Sequence, residues 1–86
     1  TSLTLHPDRP RSAAEWEDML AKLSGPEMGR VLRAKGFLPG AEGNWYQVDY
    51  TPGRVYLHSG APLQDSVLVV IGTDLNQEAI VQCLEE

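Results

Sequence analysis

The longest uninterrupted apolar run in the chain is Val67-Leu68-Val69-Val70-Ile71, closed by Gly72. A mostly β-branched run of this length reads as a strand buried on both faces, because neither side offers a polar residue to water. It belongs at or near the centre of a sheet. Directly after it, the segment from Thr73 to Glu78 supplies side-chain acceptors for the first free amides of a helix, and Leu75 and Ile80 are spaced to clamp that helix start. The chain therefore closes as strand, tight turn and helix, with Ala79, Ile80, Cys83 and Leu84 as the apolar stripe of the last element.

The same reading extends to the rest of the chain. Leu3 and Leu5 alternate with Ser2, Thr4 and His6, the period-two pattern of a short half-buried strand, which Pro7 and Pro10 end. Ser12 and Glu15 have the spacing of a capping box. Trp16, Met19, Leu20 and Leu23 follow at i, i+3, i+4 and i+7, one continuous stripe that Gly25-Pro26 stops. From Arg30 to Leu38, alternation places Leu32, Ala34, Gly36 and Leu38 on one face and Val31, Arg33, Lys35 and Phe37 on the other. Pro39 to Gly43 reads as a turn, Asn44 to Tyr50 as a strand, Thr51-Pro52-Gly53 as a tight turn, and Arg54 to His58 as a strand with Val55 and Leu57 facing inward. Ser59 to Ser66 is a loop.

The predicted order is β-α-β-β-β-β-α. The fold class is α+β: a two-layer sandwich with a mostly antiparallel four- to five-stranded sheet and two helices on one face, ferredoxin-like in kind. No repeat or internal domain boundary interrupts it, so residues 1–86 read as a single domain. A chain of 86 residues buries only about 60 to 65% of its unfolded surface, so the core must be thin.

Composition narrows the function classes. A hydrophobic fraction of 42% with 22% charged residues is ordinary for a globular domain. Seven Lys and Arg lie scattered among twelve acidic residues, for a formal net charge of -5. No basic stripe offers itself to phosphates, and no nucleic-acid partner is expected. The apolar runs fall far short of the roughly 20 residues of a membrane helix, and there is no charged-then-apolar leader; a soluble protein away from any membrane is expected. Cys83, the single cysteine, leaves no internal disulfide and no thiolate pair, which fits a reducing cytoplasm. Its place on the helix stripe makes it a small core residue. The chain opens at Thr1 and is strand-like by Ser2, and it reads as a piece of a longer protein or as a processed product.

Candidate chemistry is sparse. No nucleophile elbow or paired-carboxylate spacing is present, so no catalytic residues are assigned. An acylphosphatase-like reading would need Arg9 or Arg11 with Asn44, but the glycine-rich phosphate nest is missing. His6 and His58 are the two imidazoles available to a metal, and they would need a carboxylate such as Asp8 or Asp49 beside them. The simpler reading is two solvated histidines at strand ends. Arg33, Lys35 and Phe37, with Tyr56 and His58 from the neighbouring strand, form a polar and aromatic patch on the uncovered sheet face, the composition of a docking surface. The competing reading pairs Arg33 or Lys35 with Asp49 across strands, simply keeping that face soluble.

Two stretches carry a family resemblance: Val31-Leu32-Arg33-Ala34-Lys35-Gly36-Phe37-Leu38, and Val67-Leu68-Val69-Val70-Ile71-Gly72-Thr73-Asp74-Leu75-Asn76. At this separation, behind Arg9-Pro10 and a capped helix, they resemble the C-terminal domain of the CobW family, P-loop GTPases linked to cobalamin synthesis and metal delivery. The similarity spans almost the whole chain. It implies a longer parent whose N-terminal GTPase domain binds GTP and magnesium and carries a cysteine-rich motif for a transition metal. This domain itself has no phosphate-cradling glycine loop, clustered cysteines or histidine-rich tail, so no cofactor is expected in it. Gln64-Asp65-Ser66 stands where relatives commonly carry glycine-aspartate-arginine. The resemblance implies a non-catalytic accessory domain that binds the GTPase domain of its own chain, together with a metal-receiving client protein or a second subunit. Two other readings remain: a free-standing small-molecule or regulatory binding domain using the loops around Pro39 to Gly43 and Ser59 to Ser66, and a weak metal carrier through His6 and His58.

Overall fold

Helix α1 (Ala13–Ala21) starts where the capping box predicts. Ser12 Oγ accepts from the Glu15 amide at 3.2 Å, and the Ser12 amide donates to Glu15 Oε1 at 3.0 Å. The helix ends at Ala21 and tightens into a 3-10 turn, Lys22–Ser24, so Leu23 completes the stripe from a narrower coil. Trp16, Met19, Leu20 and Leu23 are all buried. These features come from a computed structural model, which describes residues 2–7, 9–60 and 65–84.

The strands are β1 (Ser2–Leu5), β2 (Arg30–Pro39), β3 (Trp45–Thr51), β4 (Arg54–Gly60) and β5 (Val67–Thr73), and the second helix is α2 (Gln77–Leu84). All neighbouring strands are antiparallel, in the order β1-β5-β2-β3-β4. Strand β5 slots between β1 and β2, so the unit β1-α1-β2 is split as in ferredoxin-like sandwiches. The predicted α+β class and element order are those observed. The loop foreseen from Ser59 begins later, because Ser59 and Gly60 pair with Tyr46 and Trp45; residues 61–64 lie outside the described residues.

One layer of the sheet is sealed. Leu5, Val31, Ala34, Leu38, Val48, Tyr50, Leu68 and Val70 join Trp16, Leu20, Leu23, Ile80 and Leu84 in a single apolar cluster. The β5 run nevertheless departs from the expectation of burial on both faces. Leu68 and Val70 are fully buried, whereas Val67, Val69 and Ile71 are only half-buried. Both helices lie on one side, and nothing among the described residues covers the other.

The alternation read along β2 also needs correction. Val31 stands opposite Gly72 and Arg33 opposite Ile71, so Leu32 is an extra residue, a β-bulge. The bulge resets the pleat: Val31 turns into the core and Leu32 outward, half exposed at 50%. Beyond it, Arg33, Lys35 and Phe37 face away from the helices as expected.

Local hydrogen bonds fix the corners. Gly53, with φ of 83°, follows Pro52 in the two-residue turn between β3 and β4, where the proline's fixed φ and the glycine's positive one are what a type II turn requires. Asn76 caps α2, its Oδ1 accepting from the Ala79 amide at 3.2 Å. Its Nδ2 donates to the Glu27 carbonyl at 3.0 Å and its own amide to the Met28 carbonyl at 3.0 Å. The start of α2 is thereby tied to the segment entering β2. Leu75 and Ile80 occupy the two staple positions, and both pack on the core.

Candidate functional site

Strand parity decides what the open face displays. Lys35 lies opposite Asp49 on one side and Val69 on the other, Phe37 opposite Gln47 and Val67, Asp49 opposite Tyr56, and Gln47 opposite His58. Opposed residues share a face. Arg33, Lys35, Phe37, Tyr56 and His58, the five candidates read from sequence, therefore stand on the same side of the sheet, away from the helices. Phe37 and Tyr56 are 37% and 46% exposed. Between Lys35, Phe37 and Gln47 on one side and Val67 and Val69 on the other lies a shallow depression of about 340 Å³.

Electrostatic contacts on this face are open to water. Arg33 makes a forked contact with Asp49, Nε to Oδ1 at 3.3 Å and Nη2 to Oδ2 at 3.2 Å. The two side chains are 50% and 46% exposed, so the pair contributes roughly 0 to 1 kcal/mol to folding. The cross-strand pairing considered as the solubility reading is thus formed by Arg33. Arg54 Nη1 donates to the Tyr56 hydroxyl at 3.3 Å, two residues along the same face.

Charge sorts by layer, a pattern hidden in the sequence. The five strands hold Arg30, Arg33, Lys35 and Arg54 against one carboxylate, Asp49. The two α-helices hold Glu15, Glu17, Asp18 and Glu78 and no cation. Four of the seven cations scattered along the chain are collected by the topology onto the uncovered layer, while Lys22 closes α1 and Arg11 stacks on Trp16 on the helix side. Periodicity within each strand gives the face of every residue, but only the strand order reveals that the faces add up.

The histidines are not brought together. His58 is on β4 and His6 follows β1, the two opposite edges of the sheet. Four strand spacings separate those edges, on the order of 19 Å. His6 Nδ1 donates to the Ser66 carbonyl at 2.8 Å, tying the end of β1 to the entry of β5. Asp8 lies outside the described residues. Among the described residues, no group of three or more His, Cys, Asp or Glu is placed to hold a metal ion. Cys83 is buried, its Sγ 3.8 Å from the Met19 carbonyl.

The two loops proposed for small-molecule binding differ. At Pro39 to Gly43, the Gly40 amide donates to the Asn44 carbonyl at 2.7 Å, the Ala41 amide to the Arg11 carbonyl at 3.1 Å and the Arg11 amide to the Pro39 carbonyl at 3.2 Å. Trp16 Nε1 donates to the same Pro39 carbonyl at 2.8 Å, and the Arg11 guanidinium sits 5.6 Å from the Trp16 ring centre. This loop is pinned to the helix layer. Half of the second loop, residues 61–64, lies outside the described residues.

Strand order, register and the half-buried β5 run define an open-faced α+β sandwich. The chain belongs to the cobalamin synthesis protein cobW C-terminal domain family, whose model matches residues 1–86. Among solved structures, it is similar to the Zn(II)-bound YjiA GTPase from E. coli at 22% identity and a TM-score of 0.79, covering 100% of this chain and 30% of that one. A Zn(II)-bound triple mutant of the YjiA GTPase matches with the same values. At this identity, the likeness establishes the fold. The chain spans less than a third of the length of those GTPases. Among curated proteins, no sequence matches significantly. No helix of the described residues is long and apolar enough to cross a membrane.

Proposed function

We propose that this chain is the non-catalytic, protein-binding domain of a CobW-like GTPase acting in metal delivery or cobalamin synthesis, and that its open sheet face docks on the GTPase domain of its own protein. The single observation behind this reading is the gathering of Arg33, Lys35, Phe37, Tyr56 and His58 on one uncovered face beside the half-buried Val67, Val69 and Ile71. Aliphatic side chains left half-wet in an interior strand, ringed by arginine, lysine and tyrosine, have the composition of an interface centre and its rim. Membership of the CobW C-terminal family supplies the partner, since the similar solved chains are GTPases. GTP, magnesium and a transition metal would be held by that partner domain. A metal-receiving client or a second subunit would compete for the same face or use the edge strand β4.

The test is association in trans between this chain and the GTPase domain of the protein that carries it. Arg33→Glu with Lys35→Glu reverses two exposed charges and is expected to leave the fold intact while weakening association at least tenfold. Unchanged affinity in a folded double variant would contradict the assignment of this face.

A further inference from the structure

The sorting of charge by layer specifies the chemistry of what covers the sheet. From it we infer that the open face is built to take an acidic polypeptide segment, with carboxylates meeting Arg33 and Lys35 and an apolar side chain seated between Phe37, Val67 and Val69. This rests on the docking role proposed for the face and names the partner's character.

Three observations carry it. First, four cations oppose one carboxylate on the strands, while the α-helices carry four carboxylates, offset in part on that side by Lys22 at the end of α1 and Arg11 over Trp16. The helix acids lie on the far side of the closed core, so an incoming anion meets the cations of the sheet at much shorter range, where their attraction dominates. Second, Asp49 already occupies Arg33 in the manner an external carboxylate would, through a forked contact at 3.2 and 3.3 Å. Because both partners are about half exposed, the pair is held weakly and can be exchanged. Third, the depression of about 340 Å³ is lined by Lys35 together with Phe37, Val67 and Val69. A single apolar side chain flanked by aspartate or glutamate matches that arrangement. A phosphate backbone matches it less well. Phe37 and Tyr56 stand two strands apart, on β2 and β4, with Asp49 of β3 beside both strands, and a long polyanion would run past the patch of a chain whose net charge is -5.

The experiment titrates the full chain into fluorescein-labelled peptides of alternating aspartate and leucine, a counterpart with lysine for aspartate, and an oligouridine of equal length, followed by anisotropy. The acidic peptide is expected to bind and to weaken severalfold as salt rises. Asp49→Asn, which frees Arg33, should tighten binding severalfold. Arg33→Gln with Lys35→Gln should weaken it about tenfold, and Val69→Ser should weaken it without changing the salt dependence. The inference is overturned if the acidic peptide fails to bind, if the lysine peptide or the oligouridine binds as tightly, or if Asp49→Asn weakens binding. Should it fall while Val69→Ser still loosens association with the GTPase domain, the docking role of the face stands and only its charge preference is lost. If neither the charge variants nor Val69→Ser affect that association, the docking role falls as well.

Discussion

At the scale of single residues, two side chains set the start of α1. Ser12 and Glu15 form their reciprocal bonds, and the Ser12 backbone hydrogen bond, then its side chain, hold the Glu15 carboxyl below its ordinary range against an opposing effect of burial, with Arg11 and Arg9 adding lesser pulls in the same downward direction. Ser12→Ala should cost about 1 kcal/mol in urea unfolding at neutral pH. Since the folded value for Glu15 is depressed, its contribution is present above the unfolded carboxylate range and is lost as pH falls through the folded value. The stability gap between the natural chain and Glu15→Gln should therefore close on acidification; a gap that widened would contradict this. Tyr50 poses the opposite case. Its ring is 1% exposed and its hydroxyl is buried with no hydrogen-bond partner among the described residues, so Tyr50→Phe should leave stability unchanged or raise it by about 1 kcal/mol. A loss above that value in thermal or urea unfolding would show that the hydroxyl is satisfied.

At the scale of elements, what could be read depended on how sharply a segment contrasts polar with apolar. The α1 stripe, the Asn76 cap with its Leu75 and Ile80 staple, and the two-residue turn at Pro52-Gly53 are local, and the residues dictate them. The β2 bulge was not legible, because Val31 and Leu32 are both apolar and simple alternation accepts either one as the inward residue. In β5 the opposite difficulty arises: every position from Val67 to Ile71 is apolar, so the composition cannot say that one face stays half-wet. The bulge has a direct consequence for stability. Val31→Ala should cost about 2 kcal/mol through lost burial, whereas Leu32→Ser, at a half-exposed position, should cost well under 1 kcal/mol. Equal losses in the two variants would restore unbroken alternation. Asn76→Ala removes both the α2 cap and the tie to Glu27 and should cost about 1 to 2 kcal/mol, read in the same unfolding assay.

At the scale of the whole molecule, strand order does what no local pattern announces. It sends His6 and His58 to opposite edges and brings Arg54 onto the same face as Arg33 and Lys35 through the β3–β4 hairpin. It also leaves Val67, Val69 and Ile71 beside those cations instead of beneath a second layer. The result is a two-sided domain, with an acidic helix layer over a closed core and a cationic, partly apolar sheet face. In the function proposed for the chain, a GTPase domain is what covers that open face. The most direct measurement is an amide chemical-shift map of this chain, labelled with nitrogen-15, as the GTPase domain is added. The account predicts that perturbations concentrate on β2, β5 and β4 around Lys35, Phe37, Val69 and Tyr56 and shrink as salt is raised. Perturbations confined to α1 and α2, with the sheet face silent, would contradict it.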